Sequence, residues 1–178
     1  DVVARNYSIH PRLLLTLLVE RFARTDGRDF WLTPKVLALG LGYLYTLPFW
    51  RNAQPVLDAL RNETSQSCSV SVLDGEDIVY VVRTQTRRVL SRTLSLGTRI
   101  AAHAVSVGRV LLGGLSDEEL ETYLHTATFK QYTPRTITDV AALRKAILKA
   151  RAQGYAWVDS ELDEGICGMS VPIRDGAG

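Results

Sequence analysis

The chain has 178 residues, enough for one large domain or one small and one medium unit, with 46% apolar and 22% charged residues, an ordinary globular composition. A net charge of +2 neither demands nor excludes nucleic acid, and the strongest candidate for a membrane span, "RLLLTLLV", is far too short to cross a bilayer. The two cysteines, 68 and 167, are far apart and without metal-ligand spacing around the three histidines, so they read as two buried, reduced thiols.

Residues 12–24 carry leucines at 13, 14, 17 and 18, one apolar helical face, and Pro11 suits a first helical turn. Asp26-Gly27 is a tight-turn pair, and "FWL" after it reads as a short strand, so helix, hairpin and strand together have the shape of a helix with a β-wing. Thr33-Pro34 reads as an oxygen cap and first turn of a second helix, 34–46. That helix is apolar on nearly all sides, which predicts burial against a partner subunit. Pro48 breaks it, and residues 51–64 resume as a third helix with Val56, Leu57 and Leu60 on one side.

The period then changes from helical to alternating. Residues 67–73 and 77–83 read as strands joined by a hairpin turn at "DGE", and 89–96 as a third strand ending at Gly97. Residues 99–115 pass from loop into a short helix that starts near Ser106. Ser116 and Glu119 form a capping box, Thr138 or Asp139 caps a longer helix, and Gly154 ends it. "YAWVDSE" and "GMSVPIR" are two further strands around the acidic loop "DSELDEG". The fold class is α+β.

Several constellations carry chemistry. Arg24, Arg28 and Lys35 on or beside the hairpin could reach phosphates, although Asp26 and Asp29 make a solvated turn the plainer reading. His103, Ser106, Asp159 and Cys167 can be drawn as nucleophile, base and orienter, but no catalytic signature surrounds them, and no catalytic residue is assigned. Ser106, Val107 and Gly108 open a helix whose free N–H groups suit a carboxylate; capping by Ser106 itself is the alternative. The acids between Asp159 and Glu164 lack EF-hand spacing, so no metal or cofactor is expected. Gly165 and Gly168 around Cys167 suggest a backbone that passes close to something small.

"RTDGRDFWLTPKVLALG", "AAHAVSVGRVLL" and "GYAWVDSELDEGICGMSVPIRD", in this order, resemble three landmarks of the IclR family of bacterial transcription regulators, in the branch governing protocatechuate and β-ketoadipate catabolism. The resemblance runs from about residue 12 to the end of the sequence. It implies a winged helix-turn-helix over 1–33, partial here, a helical dimerisation linker over 34–64, and a GAF-like effector domain over 65–178. The effector, a small organic acid, would be held by Ser106, Val107, Gly108, Asp159, Glu161, Cys167, Gly168 and Ser170. Operator DNA would meet Arg5, Asn6, Ser8, Arg12, Arg24 and Arg28. The expected protein is a cytoplasmic homodimer or tetramer with no enzymatic activity and no membrane partner. Little precedes the recognition helix, Pro11 interrupts it, and the chain stops where the family continues into a strand and a closing helix, so both ends read as cuts through a longer chain. A ligand-binding module without DNA function, or a Cys- or Ser-dependent enzyme, are the alternatives.

Overall fold

The structure is a computed structural model that describes residues 10–47, 49–84 and 94–174. The chain divides into two compact units, Asp1–Arg51 and Asn52–Gly178.

In the first unit α1 (Pro11–Val19) leads into an antiparallel hairpin of β1 (Ala23–Thr25) and β2 (Phe30–Leu32), followed by α2 (Val36–Thr46). Pro11 opens α1, and the His10 side chain caps it by accepting from the Arg12 N–H. The helix stops at Val19 instead of running to residue 24. Arg21 takes a left-handed φ of 57°, and Ala23 to Thr25 pair as a strand. The turn is built as the dipeptide predicts: the Asp26 carboxylate accepts from the Arg28 and Asp29 N–H groups, and Gly27 sits at φ 98°. Thr33 does not cap α2. Its hydroxyl donates to the Arg21 carbonyl at 2.6 Å, which ties the hairpin exit to the end of α1, and α2 starts at Val36 without a side-chain cap. Leu44 is the buried position of α2; Leu37, Leu39, Leu41, Tyr43 and Tyr45 are exposed.

α3 (Trp50–Thr64) crosses the boundary between the units. The second unit continues with β3 (Cys68–Asp74) and β4 (Asp77–Thr84), then β5 (Arg99–Ala101), which form one antiparallel sheet in the order β3-β4-β5. The predicted strand over 89–96 falls mostly on residues 85–93, outside the described residues, and 94–96 form no strand. Among the described residues the next strand after β4 is Arg99–Ala101, in the stretch expected to be loop. Its pairing with β4 is reinforced by Arg99, which reaches both Asp74 and Asp77 of the hairpin turn.

A 3-10 turn, Ala102–Ala104, leads to α4 (Ser106–Gly113), α5 (Asp117–Thr126) and α6 (Val140–Gln153), and then to the hairpin of β6 (Ala156–Asp159) and β7 (Cys167–Ser170). The Ser116–Glu119 capping box is formed in full, Asp139 rather than Thr138 caps α6, and Gly154 ends it at φ 78°. Ile78, Tyr80, Ile100 and Ala102 pack on Leu112, Leu120, Leu143 and Ile147, so the helices lie on one face of the β3-β4-β5 sheet. Arg151 of α6 donates to the Gly113 and Leu115 carbonyls, which satisfies the C-terminal end of α4 and fixes the two helices together. Neither cysteine is buried: Cys68 is half-buried and Cys167 exposed. Among the described residues no helix is long and apolar enough to cross a membrane.

Candidate functional site

α4 positions the site. It packs against β3, β4, β6 and β7 as well as α6, which requires its backbone to come very near the preceding 3-10 turn. A Cβ at Gly108 would lie 2.0 Å from the Ala102 carbonyl oxygen, so glycine at 108 is a packing requirement of the helix. The helix N-cap is Val105, which supplies no side-chain cap, so the first-turn N–H groups keep their free donor character. Ser106 is the first helical residue and does not cap. Its hydroxyl pairs with the Ser170 hydroxyl of β7 at 2.8 Å.

β7 comes close enough that a Cβ on Gly168 would meet the Ser106 Oγ at 2.9 Å. The start of α4 and the inner edge of β7 are therefore in direct contact, and Ser106, Gly168 and Ser170 form one cluster beside Val107. Strand alternation keeps the rest of the expected lining away from it. Ala156 and Val158 point inward with Gly168 and Ser170, while Trp157, Met169, Asp159 and Cys167 lie on the opposite face, as the pairs Trp157–Met169 and Asp159–Cys167 require. On that outer face the Cys167 thiol donates to Asp159 at 3.2 Å, and the Arg135 guanidinium binds the same carboxylate at 2.6 Å.

Glu161 turns inward. It is 7% exposed and accepts from Arg109 of α4, itself 5% exposed, at 2.5 Å, and from the Ile137 N–H at 3.3 Å. Its carbonyl accepts from the Thr136 hydroxyl, and the Ser160 carbonyl accepts from Thr133, both at 2.6 Å. Ser160 holds a left-handed φ of 58° because its N–H, hydroxyl and carbonyl are all bonded, to Ile166, Asp159, Gly165 and Thr133. Thr133, Pro134, Arg135, Ser160 and Glu164 line a cleft of about 270 Å³. The reading from residue spacing missed Thr133 and Arg135, because a lone Thr-Pro-Arg in a loop carries no periodicity and its partners lie more than twenty residues downstream.

The charges of this region follow from those contacts. Bonds from Ser160 and Cys167, with the Arg135 guanidinium beside them, hold the Asp159 carboxyl below the usual range. The same Asp159 bond pushes the Cys167 thiol up, which disfavours the thiolate a nucleophile needs. His103 is buried between Phe129 and Tyr132 with its Nε2 on the Lys130 carbonyl at 2.9 Å. Ser106 bonds to Ser170 and Cys167 to Asp159, so the four side chains drawn as a catalytic set are used in three separate interactions.

Of the residues assigned to DNA, Arg5, Asn6 and Ser8 lie outside the described residues. Arg12, Arg24 and Arg28 are exposed in the first unit, Arg24 with its guanidinium 5.5 Å from the Trp31 ring centre.

Residues 41–178 match the family described as bacterial transcriptional regulator IclR, C-terminal. The Pca regulon regulatory protein of Pseudomonas putida is 40% identical over 168 residues, which cover 94% of this chain and 58% of that protein. A transcriptional regulator from Rhodococcus sp. RHA1 superposes with a TM-score of 0.80 at 43% identity, over 98% of this chain and 71% of that one. The inducer-binding domain of an Acinetobacter PobR double mutant, solved with 3-hydroxybenzoic acid, superposes with a TM-score of 0.68 at 33% identity, over 74% of this chain and 77% of that one. The chain spans about three fifths of the length of the curated relatives it matches. A match over 41–178 together with these identities settles the affiliation: the chain belongs to the IclR family of bacterial transcriptional regulators and carries the α+β fold of its C-terminal effector-binding domain.

Proposed function

We propose that this chain is the sensing part of a transcription regulator that responds to a small organic acid, with an aromatic acid as the first candidate. The observation that carries the reading is the junction of the α4 start with β7, where uncapped N–H groups and the Ser106–Ser170 hydroxyl pair offer several donors in one place. An acid that enters there exchanges a neutral hydroxyl–hydroxyl contact for charge-assisted bonds, which are about twice as strong. The 3-hydroxybenzoic acid bound to the PobR domain supports an aromatic carboxylate as the ligand class. Asp159, Glu161 and Cys167 serve this site indirectly: they hold the loop that leads from β6 to β7.

The first unit, with its helix and charged hairpin, is the wing of a winged helix-turn-helix, and Arg12, Arg24 and Arg28 contact operator phosphates. The apolar faces of α2 meet those of a second copy, so that ligand binding shifts the population between two arrangements of paired DNA readers. Titration calorimetry with 3-hydroxybenzoate tests the ligand reading; heat that saturates in the wild type and disappears in Gly168→Val supports it, and an unchanged isotherm in that variant overturns it. Sedimentation tests the assembly: Leu37→Glu with Leu41→Glu, both on exposed α2 positions, leaves a monomer, whereas an unaltered mass contradicts the paired helices.

A further inference from the structure

The hairpin of β3 and β4 is interrupted between Val70 and Ser71, where Val81 is left as an extra residue on β4. The bulge has a chemical consequence. Without it, Tyr80 and Arg83 would point to opposite faces; with it, Arg83 turns to the same face as Tyr80, and its guanidinium lies 4.9 Å from the Tyr80 ring centre. Ser71 stands opposite Tyr80 on β3 and Ser69 opposite Arg83, so Ser71, Tyr80 and Arg83 form one patch. Leu73 and Ile78 continue the same face toward the core.

Two donors in this patch are unused. The Ser71 hydroxyl is buried, the residue being 7% exposed, and has no hydrogen-bond partner; the Arg83 Nε is buried and has none either. Among the described residues no carboxylate forms an ion pair with Arg83. Buried polar groups are nearly always satisfied, and two exceptions on one face of the hairpin that are both able to donate call for an explanation. What would satisfy both at once is an anion with two oxygens. The Tyr80 ring and its apolar neighbours suit a ligand whose anionic group is carried on an apolar body. Bulges are over-represented next to active sites, where they re-aim a side chain.

We propose that Ser71 and Arg83 form a carboxylate-binding subsite, for a carboxylate borne on an aromatic or aliphatic body. The Arg83 Nε–H and the Ser71 hydroxyl donate to the two carboxylate oxygens, and the Tyr80 ring packs against the ligand body. This subsite is defined by β3 and β4 alone and does not depend on the α4–β7 junction proposed above.

The test is an ¹⁵N NMR titration of the whole chain with benzoate, with benzamide as the uncharged isostere. The Arg83 Nε–Hε resonance reads the subsite, and the Ser106 and Gly168 amides read the α4–β7 junction separately. Benzoate is expected to move the Arg83 Nε–Hε signal in a saturable way, benzamide to leave it in place, and Arg83→Gln to weaken benzoate binding by about tenfold or more. Arg83→Lys keeps the charge and is expected to bind between the two; equal melting temperatures of the variants show that the fold is intact. An Arg83 Nε–Hε signal unmoved at saturating benzoate overturns the subsite even if Ser106 and Gly168 respond. A moving Arg83 signal with silent Ser106 and Gly168 supports the subsite and counts against the junction.

Discussion

Arg109 and Glu161 give the sharpest energetic prediction. The pair joins α4 to the segment after β6, and both side chains are almost completely buried. Replacing Glu161 with Leu leaves a guanidinium in the core whose Nε already has no partner. Replacing Arg109 with Met leaves a carboxylate that keeps only the 3.3 Å bond from the Ile137 N–H. Each single change strands a buried charge and is expected to cost about 3–5 kcal/mol. The double variant Arg109→Met with Glu161→Leu removes both charges and is expected to lie within about 1 kcal/mol of wild type or above it. In urea, with a slope of about 2 kcal/mol per molar, each single change lowers the unfolding midpoint by roughly 2 M and the double restores it. Midpoints within about 0.3 M of wild type for both singles, or a double variant whose loss equals the sum of the two, would refute the reasoning.

Gly108→Ala places a Cβ 2.0 Å from a backbone oxygen that cannot swing aside, so α4 must leave the 3-10 turn; a loss of about 3 kcal/mol or more in urea unfolding is expected, and a loss below about 1 kcal/mol would contradict that packing. Gly168→Ala meets only the Ser106 hydroxyl, which can rotate, and is expected to cost no more than about 1 kcal/mol by the same measurement. Acid tests the outer face of the β6-β7 hairpin. The Asp159 carboxyl titrates below its ordinary value, so the unfolded chain binds its proton first, and its contribution is present above about pH 4 and lost as pH falls through the lowered value. Stability followed from pH 6 to pH 2.5 should therefore fall less steeply in Asp159→Asn than in wild type, and identical slopes would count against the bonds from Ser160, Cys167 and Arg135.

What could be read in the sequence was what local chemistry dictates. The Asp26-Gly27 turn, the Ser116–Glu119 capping box, the Gly154 helix end and the β3–β4 hairpin each depend on residues within four positions of one another, and each formed as read. What went wrong depended on distant partners. Thr33 has the chemistry of a cap, but the Arg21 carbonyl claims its hydroxyl, and residues 99–101 look like loop until β4 pairs with them. The site shows the same division. Ser106, Gly168 and Ser170 lie together, and the helix start and the strand that bring them there both have local signals. Cys167 was named with them although strand alternation puts neighbours on opposite faces, and the burial of Glu161 was invisible because its partner Arg109 lies 52 residues away. The bulge that turns Arg83 inward leaves no mark in "DIVYVVRT", whose apolar run conceals a slip of one residue.

An acid-sized ligand is expected to settle where α4 begins and β7 passes, and a crystal structure of the chain grown with 3-hydroxybenzoate would show whether it does. The ligand is expected in contact with Ser106 and Ser170, whose hydroxyls have parted from their 2.8 Å pairing to donate to it. A ligand found in the cleft of Thr133, Arg135 and Glu164 instead, with Ser106 still bonded to Ser170, would contradict it.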